Sequence, residues 1–212
     1  SSMRSYVEVA RTRVTAGYTI ASVFLQGVFT TYLASSELII SDVFDREAQF
    51  PLVFGAVAVL FALASIINGR IVAIVGMQRV IDVVYRILIP LTMLSVVLSI
   101  ATGGRPEFWL FMPLLGMTLA SFLFLLPNLN AAAMGPVGHL AGTASAWSGA
   151  VRMAVGAVLG TIASGYISDS VTPFAVSVLL MCTASWMTML VVRRRSPALT
   201  DDLAPMPVGA RY

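Results

Sequence analysis

The sequence contains no lysine, a single cysteine and a single histidine, and few of its residues carry a charge. One cysteine, Cys182, can form neither a disulfide within the chain nor a cysteine metal cluster. Of the 212 residues 11% are charged and 58% are hydrophobic, whereas soluble domains have about 25% charged and about 45–50% apolar residues. A soluble domain of this size keeps much of its surface in water and cannot bury so many apolar residues. A soluble enzyme, a secreted disulfide scaffold and a disordered chain are therefore excluded, and we expect no metal, no cofactor and no nucleic-acid partner.

Uncharged stretches long enough to cross a membrane recur along the chain. A bilayer core about 30 Å thick needs about 20 apolar residues per helix. Charges interrupt the sequence at about this interval, which predicts six transmembrane helices over 15–40, 51–69, 83–102, 108–134, 140–168 and 172–192. We therefore expect an all-α membrane protein with a cytoplasmic segment over 1–14, a six-helix bundle over 15–195 and a disordered cytoplasmic tail over 196–212.

The arginines collect at one face of the predicted bundle. With six spans, both termini share a face with the second and fourth loops, and ten arginines fall there. The opposite face receives Arg46 and Arg105 together with five acidic residues. Because short cytoplasmic loops carry the excess of positive charge, we expect both termini in the cytoplasm. Arg152 is the one charge predicted well inside a span.

A helical wheel of the first helix gathers its polar residues on one side. An arc of about 120° contains Tyr18, Ser22, Gln26, Phe29, Thr30, Leu33 and Glu37. Polar groups are costly against lipid, so this arc is expected to face protein or a water-filled cavity. Two interpretations stay open, a substrate pathway with a mixed aromatic and polar lining or polar contacts that hold helices together. Glu37, near the outer interface, is a candidate proton carrier.

Arg152 and two asparagines are further candidates. An arginine inside a span suggests binding of an anionic substrate group, or pairing with a carboxylate during a transport cycle. The alternative is a structural ion pair or a side chain that reaches the cytoplasmic interface. Asn128 and Asn130 follow Pro127 in the fourth helix, where they either line a cavity or mark a plain kink and helix end.

Small residues form stripes on the second and fifth helices. Gly142, Gly149, Gly156 and Gly160 lie within about 40° of one another on the fifth helix, and Gly55 belongs to a similar stripe on the second. Such stripes let helix backbones approach closely, so both helices are predicted to offer faces for tight packing. They are equivalent members of helix groups 1–3 and 4–6, as in a 3+3 inverted repeat.

A serine protease within the membrane is excluded by distance. The segment Ile162-Ala163-Ser164-Gly165 is similar to half of a rhomboid serine motif. The single histidine, His139, lies about 25 residues before Ser164 on the same predicted helix, roughly 37 Å away. No catalytic dyad can form, metal ligands are lacking, and we expect a protein that is not an enzyme.

Three segments carry a family resemblance. They are Asn68-Gly69-Arg70 with Gly76-Met77-Gln78-Arg79, then Pro127-Asn128, and then Ala141-Gly142-Thr143-Ala144-Ser145-Ala146. Together they resemble the C-terminal half of a major facilitator superfamily transporter of the Bcr/CflA drug:proton antiporter type. The first looks like the basic loop between spans two and three of each half, which makes Asn68, Arg70, Gly76 and Arg79 candidate gating residues. That loop lacks the aspartate of the fuller motif, and Ser36-Glu37-Leu38 stands where the family has a serine followed by proline.

The resemblance implies a multi-pass secondary transporter of the bacterial inner membrane. Its expected activity is proton-coupled efflux of amphiphilic drugs or small metabolites by alternating access, with membrane lipid, substrate and protons as partners. It also implies a preceding six-helix half, and since the chain begins Ser1-Ser2 we expect a fragment. The alternative is a non-transporting membrane scaffold or assembly protein that acts through helix–helix contacts.

Overall fold

The computed structural model describes residues 12–167 and 169–195. Within these ranges six helices are long and apolar enough to cross a membrane, which confirms the predicted number of spans. They are α1 (Arg13–Leu38), α2 (Phe50–Val75), α3 (Met77–Ala101), α4 (Phe108–Met134), α5 (Ala141–Ser164) and α6 (Thr172–Arg195). The predicted tail over 196–212, and residues 1–11 of the predicted N-terminal segment, lie outside the described residues.

Short turns of helix connect the long ones. A π-helical turn, Ile39–Val43, continues α1, and a 3-10 turn, Glu47–Gln49, leads into the first turn of α2, where Pro51 is well tolerated. A second 3-10 turn, Gly135–Leu140, joins α4 to α5. Because these connections are short, successive helices run in alternate directions.

The segment predicted as a basic loop between spans two and three is almost entirely helical. Helix α2 runs on to Val75, past the predicted end at residue 69, and α3 begins at Met77, before the predicted start at residue 83. Only Gly76 interrupts the helix, with a φ of 84° that glycine adopts at little cost. The loop prediction was wrong because a charge such as Arg70 ends an apolar run without ending a helix, arginine being a good helix former.

Helix α1 is the most enclosed of the six and packs against α4, α5 and α6. The other main pairs are α2 with α4, α3 with α4, and α3 with α6. Smaller contacts join α2 to α3, α4 to α5 and α5 to α6. The apolar core lies mainly around α1 and α4, where Tyr18, Leu25, Phe111, Leu119 and Phe122 are fully buried. Helices of the first half of the chain thus pack chiefly against helices of the second half.

Helices α2 and α5 present apolar sides outward. In α2 only Ala64 and Asn68 are buried, while Leu52 and Ile74 are exposed. Val158 is similarly exposed on α5. Soluble monomers rarely expose such continuous apolar surface, which is stable against lipid or against another apolar protein face.

Candidate functional site

The polar arc of α1 is only partly enclosed by its neighbours. Its members are buried (Tyr18 and Ser22), half-buried (Gln26, Phe29 and Thr30) or exposed (Leu33 and Glu37). The Ser22 hydroxyl donates a hydrogen bond to the carbonyl oxygen of Tyr18 at 2.9 Å. The Tyr18 end of the arc therefore belongs to the bundle interior, and the Gln26 and Leu33 part reaches its surface.

Two glycines of α5 lie directly against the polar arc. A Cβ added to Gly156 would lie 2.7 Å from Cβ of Gln26, and one added to Gly160 would lie 2.5 Å from Cβ of Thr30. Real Cβ atoms do not approach this closely, so the two helix backbones can meet only because these positions are glycine. Gln26 and Thr30 therefore take part in helix packing through their carbon atoms, and both interpretations of the arc stay predictions.

The other glycines of the predicted packing stripes face open space. No heavy atom of the described chain lies within 4 Å of a Cβ added to Gly55, Gly142 or Gly149. The stripe on α5 is therefore divided: its C-terminal part packs inside the bundle, and its N-terminal part is free to contact lipid or a partner.

Arg152 lies beside the contact between α1 and α5. It is one turn before Gly156 and one turn after Ser148, whose hydroxyl is 2.9 Å from that of Thr19. The Arg152 side chain is half-buried, and its Nε is buried without a hydrogen-bond partner among the residues that the structure describes. No carboxylate within residues 12–167 and 169–195 forms an ion pair with it. A buried donor without an acceptor is costly, so a substrate or partner group that accepts this bond would be stabilised.

Asn68 and Asn128, predicted for different roles, are brought together. The Asn128 amide donates to the side-chain oxygen of Asn68 at 2.9 Å and to the carbonyl oxygen of Phe124 at 2.6 Å. Both asparagines are buried, whereas Asn130 is half-buried. The pair links α2 to α4, and α4 continues through Pro127 to Met134 as one helix.

The four candidate gating residues do not form one cluster. Asn68 and Gly76 are buried, while Arg70 and Arg79 are exposed at the same end of the bundle. Of these four, Asn68 alone makes a side-chain hydrogen bond in the described part of the chain, and its partner is Asn128. Their role in gating stays a prediction.

A polar cluster that sequence inspection missed joins α3 to α6 at this end. Arg193 forms an ion pair with Asp82 and donates a second hydrogen bond to the side-chain oxygen of Gln78. Gln78 in turn donates to the Tyr18 hydroxyl at 3.5 Å, which extends the cluster to α1. The sequence signal that could have predicted this cluster is Asp82, an acidic residue that lies between Arg79 and Arg86.

Two grooves of ligand size open along α4. One of about 490 Å³ lies between α2, α3 and α4 and includes Arg79, and one of about 450 Å³ lies between α1, α2 and α4 and includes Tyr32. Both are lined almost wholly by apolar side chains, and neither is lined by any of the predicted cavity residues. That Tyr18, Ser22, Gln26, Phe29, Thr30, Asn128 and Asn130 line a substrate cavity stays a prediction.

No protein-family model, curated protein or solved structure matches the chain. In the ranges 12–167 and 169–195, no group of three His, Cys, Asp or Glu side chains could hold a metal ion. The part of the chain that the structure describes is all-helical and has six helices long and apolar enough to cross a membrane.

Proposed function

We propose that this chain is one six-helix half of a proton-coupled secondary transporter, which exports amphiphilic small molecules across a bacterial inner membrane by alternating access. The observation that carries the proposal is the pattern of helix packing. When α1, α2 and α3 are exchanged with α4, α5 and α6, the pair α1–α5 becomes α4–α2, and α1–α6 becomes α4–α3. The pairs α1–α4 and α3–α6 are each exchanged into themselves.

The smaller contacts follow the same exchange. The pair α2–α3 corresponds to α5–α6. The counterpart of α4–α5 is α1–α2, whose backbones lie less close together but whose aromatic rings meet at Phe29–Phe61 and Tyr32–Phe54, with centroids 5.9 and 6.4 Å apart. Interlocked groups of three helices are the arrangement of transporters built from 3+3 inverted repeats. The packing therefore supports a repeat of this kind, in which α1 and α4 hold equivalent central positions.

The strip of α1 formed by Gln26, Phe29, Thr30 and Leu33, which is half-buried or exposed, is the substrate path that we propose. Phe29 contacts α2 through Phe61, and Thr30 contacts α5 at Gly160. On the helical wheel Leu33 and Gln26 fall between Phe29 and Thr30. The strip therefore lies between α2 and α5, where one polar amide stands in apolar surroundings. This suits an amphiphilic substrate, which needs few and well-placed polar contacts.

A second six-helix half is the partner that these surfaces fit. The outward faces of α2 and α5 are equivalent under the exchange and are apolar, and the face of α2 carries the open glycine Gly55. Small residues at a membrane interface allow close helix contacts. A second bundle that packs on the outward faces of both α2 and α5 would cover the strip of α1 and enclose a cavity. Arg152, whose Nε has no hydrogen-bond partner among the described residues, would then attract an anionic group or a carboxylate of the other half.

Gradient-driven flux tests the proposal. The natural protein that contains this chain is reconstituted in vesicles with an imposed pH gradient, and transport of the cationic dye ethidium is recorded. We expect flux that depends on the gradient and falls about tenfold in Gln26→Leu and in Arg152→Gln, the loss that corresponds to about 1.4 kcal/mol of binding or barrier energy. Arg86→Gln removes an exposed arginine elsewhere and is the matched control, with unchanged flux expected.

A non-transporting membrane scaffold is the second candidate, favoured by the helix contacts of Gln26, Thr30 and Asn128. In that case folded wild-type protein gives no gradient-dependent flux. Flux that neither substitution changes would also contradict the proposed path along α1.

A further inference from the structure

A groove of about 620 Å³ lies between α1 and α6 at the arginine-rich end, apart from the strip proposed for transport. Its apolar lining includes Ala16, Gly17 and Ile20 of α1 and Met187, Val191 and Val192 of α6. Arg13 and Arg195 lie at the end of the groove where α1 begins and α6 ends. The groove thus combines an apolar floor with two cations at the membrane surface.

The shape of the groove depends on one close approach. A Cβ added to Gly17 would overlap Cγ2 of Val192, so the two helices meet closely at this point. Beside this contact Ile20 and Met187 remain 46% and 58% exposed. These side chains offer a strip of apolar surface that a hydrocarbon chain can cover.

The two arginines carry charges that nearby carboxylates do not neutralise. Arg193 is paired with Asp82, but no ion pair within the described ranges involves Arg13 or Arg195, and both are exposed. Arg13 lies at the positive end of the α1 dipole and Arg195 at the negative end of the α6 dipole, so the two helix ends offset each other and the two guanidinium charges remain. This end of the groove therefore attracts an anion.

We propose that the groove binds an anionic phospholipid, with its phosphate between Arg13 and Arg195 and one acyl chain along Ile20 and Met187. Basic pockets between transmembrane helices hold such head groups. From Arg13 to Ile20 the helix rises about 10 Å, enough for the first part of an acyl chain. A soluble phosphate would leave the apolar floor uncovered, which favours the lipid. The proposal depends on the chain spanning a bilayer and is independent of transport.

Native mass spectrometry in a mild detergent tests the site. The delipidated protein is titrated with dioleoyl phosphatidylglycerol or with dioleoyl phosphatidylcholine, and the first binding constants are compared. Each surface arginine adds about a fivefold preference for an anionic lipid, the factor that corresponds to roughly 1 kcal/mol. We therefore expect about a 25-fold preference for phosphatidylglycerol from two arginines.

Matched variants locate the binding. Arg13→Gln/Arg195→Gln should abolish the preference, while Arg13→Lys/Arg195→Lys keeps it and shows that the fold survives changes at these positions. Arg86→Gln/Arg194→Gln removes the same charge from exposed positions outside the groove and should retain the preference. Equal binding of the two lipids by wild type, or an equal loss in this control, would overturn the proposal. So would full competition by glycerol 3-phosphate at the concentration of the lipid, which would indicate a site for phosphate alone.

Discussion

The side-chain amide of Asn128 on α4 donates to the side-chain oxygen of Asn68 on α2, with 2.9 Å between the two atoms and both residues buried. Helix α2 is otherwise the most exposed helix of the bundle. An unpaired amide is costly in apolar surroundings, so the pair favours one register of α2 against α4. Further along the same contact Gly116 lies against Leu60, where an added Cβ would be 3.3 Å from Cδ2.

The asparagine pair predicts non-additive stability changes. Asn128→Leu should lower the free energy of unfolding by about 1 kcal/mol because it leaves the Asn68 amide without its partner. Asn68→Leu should have a similar cost, whereas the double variant should cost less than the sum, since both polar groups leave together. Unfolding in mixed micelles of SDS and a mild detergent measures these differences. A double variant that costs the sum of the two singles would show that the bond contributes nothing.

Glycine substitutions on α5 should separate its two parts. Gly160→Ala places a methyl group against Thr30 and should destabilise the bundle by about 1–3 kcal/mol, as overpacking does. Gly149→Ala meets open space and should be neutral or stabilising by up to about 1 kcal/mol, because alanine favours the helix. Thermal unfolding of the two variants in detergent makes the comparison. Equal destabilisation by both would mean that Gly160 does not hold a close helix contact.

The ion pair between Arg193 and Asp82 should stabilise the contact between α3 and α6. The two side chains are 21% and 36% exposed, so Asp82→Asn is expected to cost about 1–3 kcal/mol, between exposed and buried pairs. Salt screens such a pair, so raising the ionic strength should weaken wild type more than the variant. The matched control is Asp169→Asn. Asp169 is exposed, and it accepts a hydrogen bond from Arg105 through its backbone oxygen and not through its side chain. Equal stability of Asp82→Asn and the control would contradict a stabilising pair.

The number of spans was predictable because hydropathy depends on local sequence. Apolar runs separated by charges located all six helices, and the predicted bounds of the fourth, 108–134, agree with Phe108–Met134. The predicted bounds are wrong where a charged residue lies inside a helix and does not mark its end. Arg70 stops the apolar run of the second span, but the backbone stays helical until Gly76 takes a positive φ.

Contacts between helices were not predictable from periodicity. A wheel shows that Gly149 and Gly160 share a face of α5, but not that α1 covers one and leaves the other open. Likewise Asn68 is predicted as a gating residue and Asn128 as a cavity residue, while their pairing depends on how α2 lies against α4. The Arg193 cluster was missed because its members are distant in sequence and meet only through packing.

Whether the strip of α1 faces water or lipid is the central question for the proposed function. Cys182 is buried and is replaced by Ser, together with any cysteine of the other half, to give a background without cysteine. Leu33→Cys lies on the strip, and Met93→Cys lies near the middle of α3, outside it. The two native side chains are similarly exposed, at 47% and 52%.

Reaction of each variant of the natural protein in membranes with a hydrophilic methanethiosulfonate reagent decides between water and lipid. Thiolate forms in water and not in hydrocarbon, so a cysteine in an aqueous path reacts and one facing lipid does not. We expect Leu33→Cys to react, more slowly when the transported dye is present, and Met93→Cys to stay unmodified. Equal resistance of both cysteines would place the strip against lipid and contradict a transport path along α1.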